Sequence, residues 1–280
     1  MLTSRRVDLL CTVRGCGDPL KQAAGSLECP RGHSFDVSRS GYVNLLQPQD
    51  RKSKSPGDPL AAVLARRRFF DGGYDSEFQN EIIGEIESLS LREDSAVLDA
   101  GCGEGSLLGT IQQRLTPEAH GVDIAVPAID AAARRFPDVQ WIVANADRGL
   151  PYPSGSFDLV MSITSRRNPA EFARTLLPAG TLLVVLPGYD DLHEVREAVQ
   201  GAAVTRSRVS STVAAYESHF ELENVRTIRH ARTLPRDTIL DLLAMTYRGA
   251  RGKEKARVEA LSEMTVTMSR DVLRFRKLGR

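Results

Sequence analysis

Three of the four cysteines in this 280-residue chain lie within its first 30 residues, close to a histidine. Cys11 and Cys16 form one pair, and Cys29 and His33 form a second pair after a loop of twelve residues. Thiolate and imidazole ligands suit tetrahedral zinc, and four protein ligands leave no coordination position open for catalysis. The spacing therefore predicts a structural zinc site at these four residues. The alternative is a set of buried free thiols beside an incidental histidine.

A glycine-rich loop further along the chain suits the binding of a nucleoside. A short apolar stretch ends at Asp99 and is followed by a G-x-G-x-G loop over residues 101–105. Glycines allow the backbone to turn tightly and a ligand to approach closely. Asp123 ends the next predicted strand, where a carboxylate can accept hydrogen bonds from both hydroxyls of a ribose. The NAD fingerprint places its third glycine one residue later, so the loop favours S-adenosylmethionine over NAD or a plain structural turn.

The elements around this loop alternate between short apolar strands and helices. Strands are predicted at residues 96–99, 119–122, 140–143, 157–163 and 181–186, with helices at 106–115, 126–135 and 170–177 between them. Strands that consist of continuous apolar runs are typically buried on both faces, as in a parallel sheet. The alternation predicts a doubly wound α/β fold. Further helices are predicted at 60–70, 76–89 and 236–245, and a closing strand at 264–275.

The length of the chain allows one large domain and one small one. We interpret residues 1–46 as the zinc-binding module, 47–73 as a linker with a connecting helix, and 74–280 as the α/β domain. No apolar run is long enough to cross a membrane and the N-terminus lacks a secretory signal pattern, so a cytoplasmic protein is expected. The net charge of +1 conceals basic regions at both ends, which suit a polyanionic partner or are ordinary solvated charges.

Several strings of residues resemble a known family. Cys29-Pro30-Arg31-Gly32-His33 and Gly41-Tyr42-Val43-Asn44-Leu45-Leu46 strongly resemble the N-terminal module of RlmA-type methyltransferases. Asn145-Ala146-Asp147 resembles the adenine-contacting segment of class I methyltransferases. Further similarity lies in Pro56-Gly57-Asp58 and in residues 65–74, 168–172, 187–188 and 242–246, so the resemblance covers nearly the whole chain.

This resemblance implies a seven-stranded, Rossmann-like class I methyltransferase domain behind the zinc-binding module, with S-adenosylmethionine as the cofactor. RlmA-type enzymes methylate N1 of a guanine in a hairpin loop of 23S rRNA, and one branch confers resistance to tylosin-like macrolides. Large-subunit ribosomal RNA is therefore the expected partner, and a homodimer is the expected assembly. The expected cofactor-binding residues are Tyr74, Asp99, Gly101, Gly103, Glu104, Asp123, Asn145, Ala146 and Asp191.

The sequence does not identify a catalytic residue. Guanine N1 carries a proton at neutral pH, so a carboxylate near the methyl group is expected to remove it. Asp147, Asp190 and Asp191 lie on suitable loops, and the sequence does not choose among them.

The sequence also leaves open which residues bind the substrate and which class of substrate it is. The arginines at 66–68 are candidate phosphate contacts, with one of them structural, and we expect RNA to bind between the zinc-binding module and the α/β domain. Thr164-Ser165-Arg166 replaces the aromatic-Ala-Pro of the family, which supports the alternative of a small-molecule methyltransferase that retains the module. A third hypothesis is a non-catalytic RNA-binding protein on a methyltransferase fold.

Overall fold

The N-terminal part of the chain forms a small antiparallel sheet. The computed structural model describes residues 7–51, 53, 55–92, 94–201, 205–246 and 262–279. The small sheet contains β1 (Lys21–Gln22), β2 (Ser26–Glu28) and β3 (Ser34–Asp36), paired in that order, and is followed by β4 (Val43–Asn44) and a 3-10 turn at Pro48–Asp50. Strands of two or three residues bury too little apolar area to be stable alone, so this part depends on a metal and on its neighbours.

The remaining elements alternate as the sequence predicts. They are α1 (Leu60–Asp71), α2 (Ser76–Glu87), β5 (Ala96–Ala100), α3 (Ser106–Leu115), β6 (Glu118–Asp123), α4 (Val126–Arg135), β7 (Gln140–Val143), β8 (Phe157–Ile163), α5 (Pro169–Thr175), β9 (Leu176–Pro187), α6 (His193–Gln200), α7 (Val209–Tyr216), β10 (Phe220–Pro235), α8 (Arg236–Thr246) and β11 (Glu263–Lys277). The predicted elements are confirmed to within two residues at their ends, except that β9 begins five residues early.

Eight strands form one sheet in the order β10-β11-β9-β8-β5-β6-β7-β4. The strands from β9 to β4 are parallel, whereas β11 runs antiparallel to both of its neighbours. Seven of these strands come from residues 96–277, which confirms the predicted seven-stranded Rossmann-like domain. From β5 the chain adds β6 and β7 on one side and then β8 and β9 on the other, so the strand order reverses between β5 and β8. A crevice opens at the carboxyl ends of these two strands, which is the usual ligand position in such sheets. Within the described residues, no helix is both long and apolar enough to span a membrane.

The eighth strand comes from the N-terminal part of the chain. Val43 pairs with Ile142 in parallel register, and the backbone N–H of Leu45 donates to the carbonyl of Val143 at 2.9 Å. Apolar side chains of the N-terminal part, such as that of Phe35, lie in the same buried cluster as Leu98 of β5. The two parts therefore share one sheet edge and one core, instead of being joined only by a linker.

The sequence did not predict β10, α6 or α7. β10 is an edge strand on which most side chains are exposed or half-buried, including many charged and polar ones, so it lacks the apolar run that marks the central strands. β10 is a strand because it pairs with β11, and this pairing joins residues too far apart in the chain for a local pattern to predict it. α6 and α7 have only eight residues each, which is too short for a clear helical period.

Candidate functional site

The four predicted metal ligands lie together. Their ligand atoms are all within 4.8 Å of one another. The Nδ1 atom of His33 lies 3.4 Å from the sulfur of Cys11 and 3.3 Å from that of Cys29, and the sulfur atoms of Cys16 and Cys29 are 3.8 Å apart. A zinc tetrahedron with Zn–S bonds of about 2.3 Å and Zn–N bonds of about 2.0 Å has edges of roughly 3.5 to 3.8 Å. Three of the six distances between ligand atoms match these edges, so the cluster fits zinc with at most a small closing movement of the ligands.

Tight turns position these ligands. The backbone N–H of Cys29 donates to the carbonyl of His33 at 3.0 Å, and Gly32, at φ +81°, closes the turn by donating to Cys29. A positive φ suits glycine, so the C-x3-H spacing depends on this residue. Burial raises the pKa of the Cys11 thiol to about 12. A thiolate at Cys11 therefore needs a cation beside it, and bound zinc provides one.

A second site lies at the carboxyl ends of the parallel strands. A cavity of about 700 Å³ opens above β5, β6, β7 and β8. This volume suits a nucleoside-containing cofactor. Seven of the nine predicted cofactor-binding residues line it, namely Asp99, Gly101, Gly103, Glu104, Asp123, Asn145 and Ala146.

The glycine loop is shaped by close packing. Gly101, Gly103 and Gly105 all have positive φ values, of +92°, +58° and +81°. A Cβ on Gly105 would collide with the ring of Trp141, and one on Gly101 would collide with the side chain of Ser165. The loop needs glycine both for its backbone conformation and for the absence of a side chain.

Asp123 holds this loop in place. One carboxylate oxygen accepts a hydrogen bond from the N–H of Gly103 at 3.0 Å, and the other accepts one from Ala125 at 2.8 Å. Burial raises the pKa of Asp123, although these two hydrogen bonds oppose the change. Each oxygen still has a free lone pair, so both can accept ribose hydroxyls while the loop stays anchored.

Asp99 is buried at the bottom of the cavity. Its Oδ1 atom has no hydrogen-bond partner among the described residues, and burial together with the charge of Asp123 raises its pKa to about 7. An unpaired buried carboxylate is costly unless a ligand compensates it. A positively charged ligand fits this position.

The charges around the cavity agree with that inference. Among the described residues, its lining holds seven carboxylates (Asp50, Asp58, Asp75, Asp99, Glu104, Asp123 and Asp147) and three guanidinium groups (Arg66, Arg166 and Arg270). The pyrophosphate of NAD would be repelled by this surplus of negative charge. S-adenosylmethionine carries a sulfonium and an ammonium group, and the surplus attracts both.

Glu104 and Asn145 have structural partners as well as positions in the lining. Glu104 accepts hydrogen bonds from the N–H and the hydroxyl of Ser106, and so satisfies the first free backbone N–H of α3. The side-chain amide of Asn145 donates to the backbone carbonyl of Asp50 at 2.7 Å. Asn145 therefore joins the adenine side of the proposed cofactor site to the segment that follows the zinc ligands.

The other two predicted cofactor-binding residues, Tyr74 and Asp191, are not among those that line the cavity. The ring of Tyr74 packs against Phe69, with centroids 5.6 Å apart, and lies under the guanidinium of Arg232. Asp191 accepts a hydrogen bond from the N–H of Ser269 at 3.0 Å and so fastens the turn after β9 to β11. Both side chains therefore have partners within the protein, and their contact with the cofactor stays a prediction.

The structure distinguishes the candidate bases and gives each arginine of the run a partner within the protein. Of the three candidate aspartates, Asp147 lines the cavity, paired with Arg166 at 3.1 Å, and Asp190 pairs instead with Arg229. The three arginines at 66–68 bind Asp58, the carbonyl of Ala131 and Asp241, respectively. Their guanidinium groups are therefore used within the protein and do not form a free basic patch.

Sequence reasoning missed the ion pair between Asp75 and Arg270. Both residues line the cavity, at 2.7 Å from each other, and the Arg270 guanidinium stacks on the ring of Phe78 at 4.2 Å. Asp75 precedes α2 and Arg270 lies on β11, so only the folded sheet brings them together. No local pattern could have revealed the pair.

Comparisons with known proteins agree with the two sites. A family model described as "RlmA, N-terminal" matches residues 10–54, and one described as "Methyltransferase domain" matches residues 97–180. The solved structure of YcgJ from Bacillus subtilis has the same fold, with a TM-score of 0.53 at 15% identity, and covers 72% of this chain and 100% of its own.

Three curated relatives are similar over most of this chain. A 23S rRNA (guanine(748)-N(1))-methyltransferase from Streptomyces fradiae is 31% identical over 82% of both chains. A protein from Bacillus subtilis is 34% identical and covers 92% of this chain and 94% of its own. A protein from Micromonospora griseorubida is 31% identical and covers 96% of this chain and 97% of its own. Both carry the 23S rRNA (guanine-N1)-methyltransferase class in their names. The chain therefore belongs to the RlmA-type 23S rRNA (guanine-N1)-methyltransferase family, S-adenosylmethionine-dependent enzymes with a structural zinc module.

Proposed function

We propose that this protein transfers a methyl group from S-adenosylmethionine to N1 of a guanine in a hairpin loop of 23S rRNA. One observation carries the proposal: relatives with this activity in their names match both the zinc-binding module and the cofactor domain, over more than nine-tenths of the chain. The intact glycine loop and the acidic cavity argue against the non-catalytic alternative, because both fit a cationic cofactor. A ribosomal substrate implies that the reaction takes place in the cytoplasm.

The residues of the cavity contribute mainly by positioning. S-adenosylmethionine supplies an electrophilic methyl group when it is bound. Asp123 is proposed to hold the ribose and Asp99 to face the cationic end of the cofactor, while the glycine loop lets it approach the backbone. Holding the methyl group of the cofactor and N1 of the target guanine in line with each other can supply several kcal/mol of the reduction in the activation barrier. Asp147 is the candidate base that borders this space, beside Arg166.

The small-molecule alternative rests on residues 164–166. The hydroxyl of Ser165 donates to the carbonyl of Ala100 at 2.7 Å, so this segment forms part of the cavity wall and offers no aromatic ring to a base. Quinone C-methyltransferases from Campylobacter jejuni are 28% identical, but the match covers only 42% of the chain. The relatives with 23S rRNA in their names match more of the chain at higher identity, which favours RNA as the substrate.

Labelled methyl transfer separates the two hypotheses. Full-length protein with bound zinc is incubated with methyl-labelled S-adenosylmethionine and with 23S rRNA that lacks base methylation. We expect label in the RNA, and much less of it when Asp123→Ala is assayed at a cofactor concentration close to the dissociation constant of the wild type. Protein that binds the cofactor but leaves every RNA sample unlabelled would support a small-molecule acceptor.

A further inference from the structure

At the carboxyl ends of the parallel strands, negative charges lie inside the cavity and positive charges lie around it. The lining is rich in carboxylates, whereas exposed arginines stand on the loops around it. We propose that four of them, Arg148, Arg166, Arg167 and Arg208, form a phosphate-binding surface for the RNA that presents the target base. We call this set the arginine rim. The inference rests on the proposed function and adds to it the position of the RNA backbone.

Hydrogen bonds bring the segments of the arginine rim together. Arg148 lies in the loop after β7, next to Asp147, which pairs with Arg166 in the loop after β8. The side chain of Asn168 also donates to the carbonyl of Asp147 at 3.2 Å, which fastens the two loops to each other. Both loops therefore present their arginines at the same side of the cavity.

The third segment is the start of α7. The guanidinium of Arg167 donates to the hydroxyl of Thr212 at 2.7 Å, and Thr212 lies one helical turn after Arg208, whose carbonyl accepts its N–H. Arg208 is consequently a neighbour of the loop after β8. Hydrogen bonds and an ion pair therefore link the segments that carry the four arginines, and one of the four, Arg166, lines the cavity itself.

These arginines have free hydrogen-bonding capacity. In the described part of the chain, Arg148 and Arg208 are exposed and make no side-chain hydrogen bond or ion pair, and Arg167 binds only a neutral hydroxyl. Arg166 keeps 77% of its side chain exposed despite its ion pair. By contrast, the arginines of the C-terminal strands are largely paired, for example Arg226 with Glu81 and Arg274 with Glu85.

The separation of charge fits an RNA substrate. Phosphates would be repelled by the acidic lining and attracted by the rim, so the backbone would stay outside while one base enters the cavity. Enzymes that modify a base commonly take it out of its stack into such a pocket.

The test compares two triple variants with the same loss of charge. Arg148→Gln/Arg167→Gln/Arg208→Gln removes three rim cations, and Arg92→Gln/Arg114→Gln/Arg276→Gln removes three exposed cations at the opposite ends of the strands. Binding of an unmodified hairpin transcribed from 23S rRNA is measured over a salt series, with S-adenosylmethionine affinity and thermal stability as controls. Removing one arginine that binds a phosphate should reduce the slope of log affinity against log salt by about 1.

We expect the rim triple to bind the hairpin at least roughly ten-fold more weakly at low salt, with a slope smaller by about two to three, and with unchanged cofactor affinity. The control triple should bind the hairpin with the affinity and the salt slope of the wild type. Equal affinity and slope in the two triples would overturn the inference while leaving the proposed function standing. A wild type that neither binds nor methylates the RNA would overturn both.

Single variants keep the test valid if the rim triple misfolds. If Arg167→Gln unfolds α7, Arg148→Gln and Arg208→Gln remove side chains that make no hydrogen bond or ion pair within the described residues. Each should reduce the salt slope by about 1. Unchanged slopes in both would contradict the arginine rim.

Discussion

The side-chain amide of Asn145 donates to the backbone carbonyl of Asp50 across 95 residues of sequence, at 2.7 Å. Asp50 follows the zinc-binding module, and both residues line the cofactor cavity. β4 joins the same module to the edge of β7, two residues before Asn145. The zinc site and the cofactor site are therefore parts of one packed structure, and a change at one should be measurable at the other.

Zinc removal is expected to weaken cofactor binding. The full-length protein should contain one zinc per chain, and Cys29→Ser/His33→Ala should lose it because two of four ligands are gone. The loss should lower the melting temperature and weaken S-adenosylmethionine binding several-fold, because the module and the α/β domain share a core. Metal analysis measures the loss of zinc, with Cys102→Ser as a cysteine control that keeps its zinc, and calorimetry compares the cofactor affinity of the double variant with that of the wild type. Substantially less than one zinc in the wild type, with the module still folded, would contradict the assignment.

Truncation before α1 should abolish cofactor binding. The sequence predicts a separate zinc-binding module at residues 1–46 and a linker after it, and a module that is truly separate would be dispensable for cofactor binding. In the structure, removing them uncovers the edge of β7 and takes Asp50, Gly57 and Asp58 out of the cavity lining. We expect a chain that begins at residue 60 to be poorly folded and to bind neither cofactor nor RNA. Wild-type cofactor affinity in this chain, with a cooperative melting transition, would show that the shared core is dispensable.

Asp123 is expected to contribute directly to cofactor affinity. Its two oxygens hold Gly103 and Ala125 and are proposed to accept the ribose hydroxyls. Asp123→Ala should weaken S-adenosylmethionine binding by about 1–3 kcal/mol, the cost of removing a charged hydrogen-bonding partner. Asp138→Asn, an exposed change just before β7, serves as the charge control in the same calorimetric titration. Equal affinities of the two variants would show that the ribose lies elsewhere.

Cofactor binding should depend on pH through Asp99. Its pKa is raised to about 7 by burial and by Asp123, so the carboxylate becomes neutral as the pH falls below about 7. Because a neutral group no longer attracts a cation, affinity for S-adenosylmethionine should fall between about pH 7 and pH 5.5. Asp99→Asn should bind more weakly at pH 8 and show little change over this range. If wild type and variant follow the same pH curve, Asp99 does not face the cationic end.

The same pKa gives a prediction for stability. A carboxyl whose pKa is higher in the folded state binds its proton more tightly there, so the free energy of unfolding decreases as the pH rises from about 4 to about 7. Asp99→Asn should therefore make the cofactor-free protein more stable than the wild type at pH 8. Below pH 4 the two should unfold alike, as chemical denaturation at several pH values can measure. A variant that is less stable at pH 8 would show that the Asp99 carboxylate is compensated within the fold.

The sequence predicts those parts of the molecule that short segments encode. The zinc ligands and the loop between Asp99 and Gly105 are each encoded within about twenty-five residues, and the strands around the cavity are continuous apolar runs. The parallel pairing of Val43 with β7 and the ion pair of Asp75 with Arg270 could not be predicted, because each joins distant segments. Likewise, a run of three arginines suggests a basic patch until the structure reveals the partner of each guanidinium.

The most direct test of the proposed function is to locate the transferred methyl group. After reaction with unmodified 23S rRNA, the RNA is digested to nucleosides for mass spectrometry, and a second sample is copied by reverse transcriptase. A methyl group on N1 blocks the Watson–Crick edge of guanine, so we predict 1-methylguanosine together with a single strong stop in a hairpin loop. A methyl group on another atom or base, or no stop despite full incorporation of label, would contradict the proposed function.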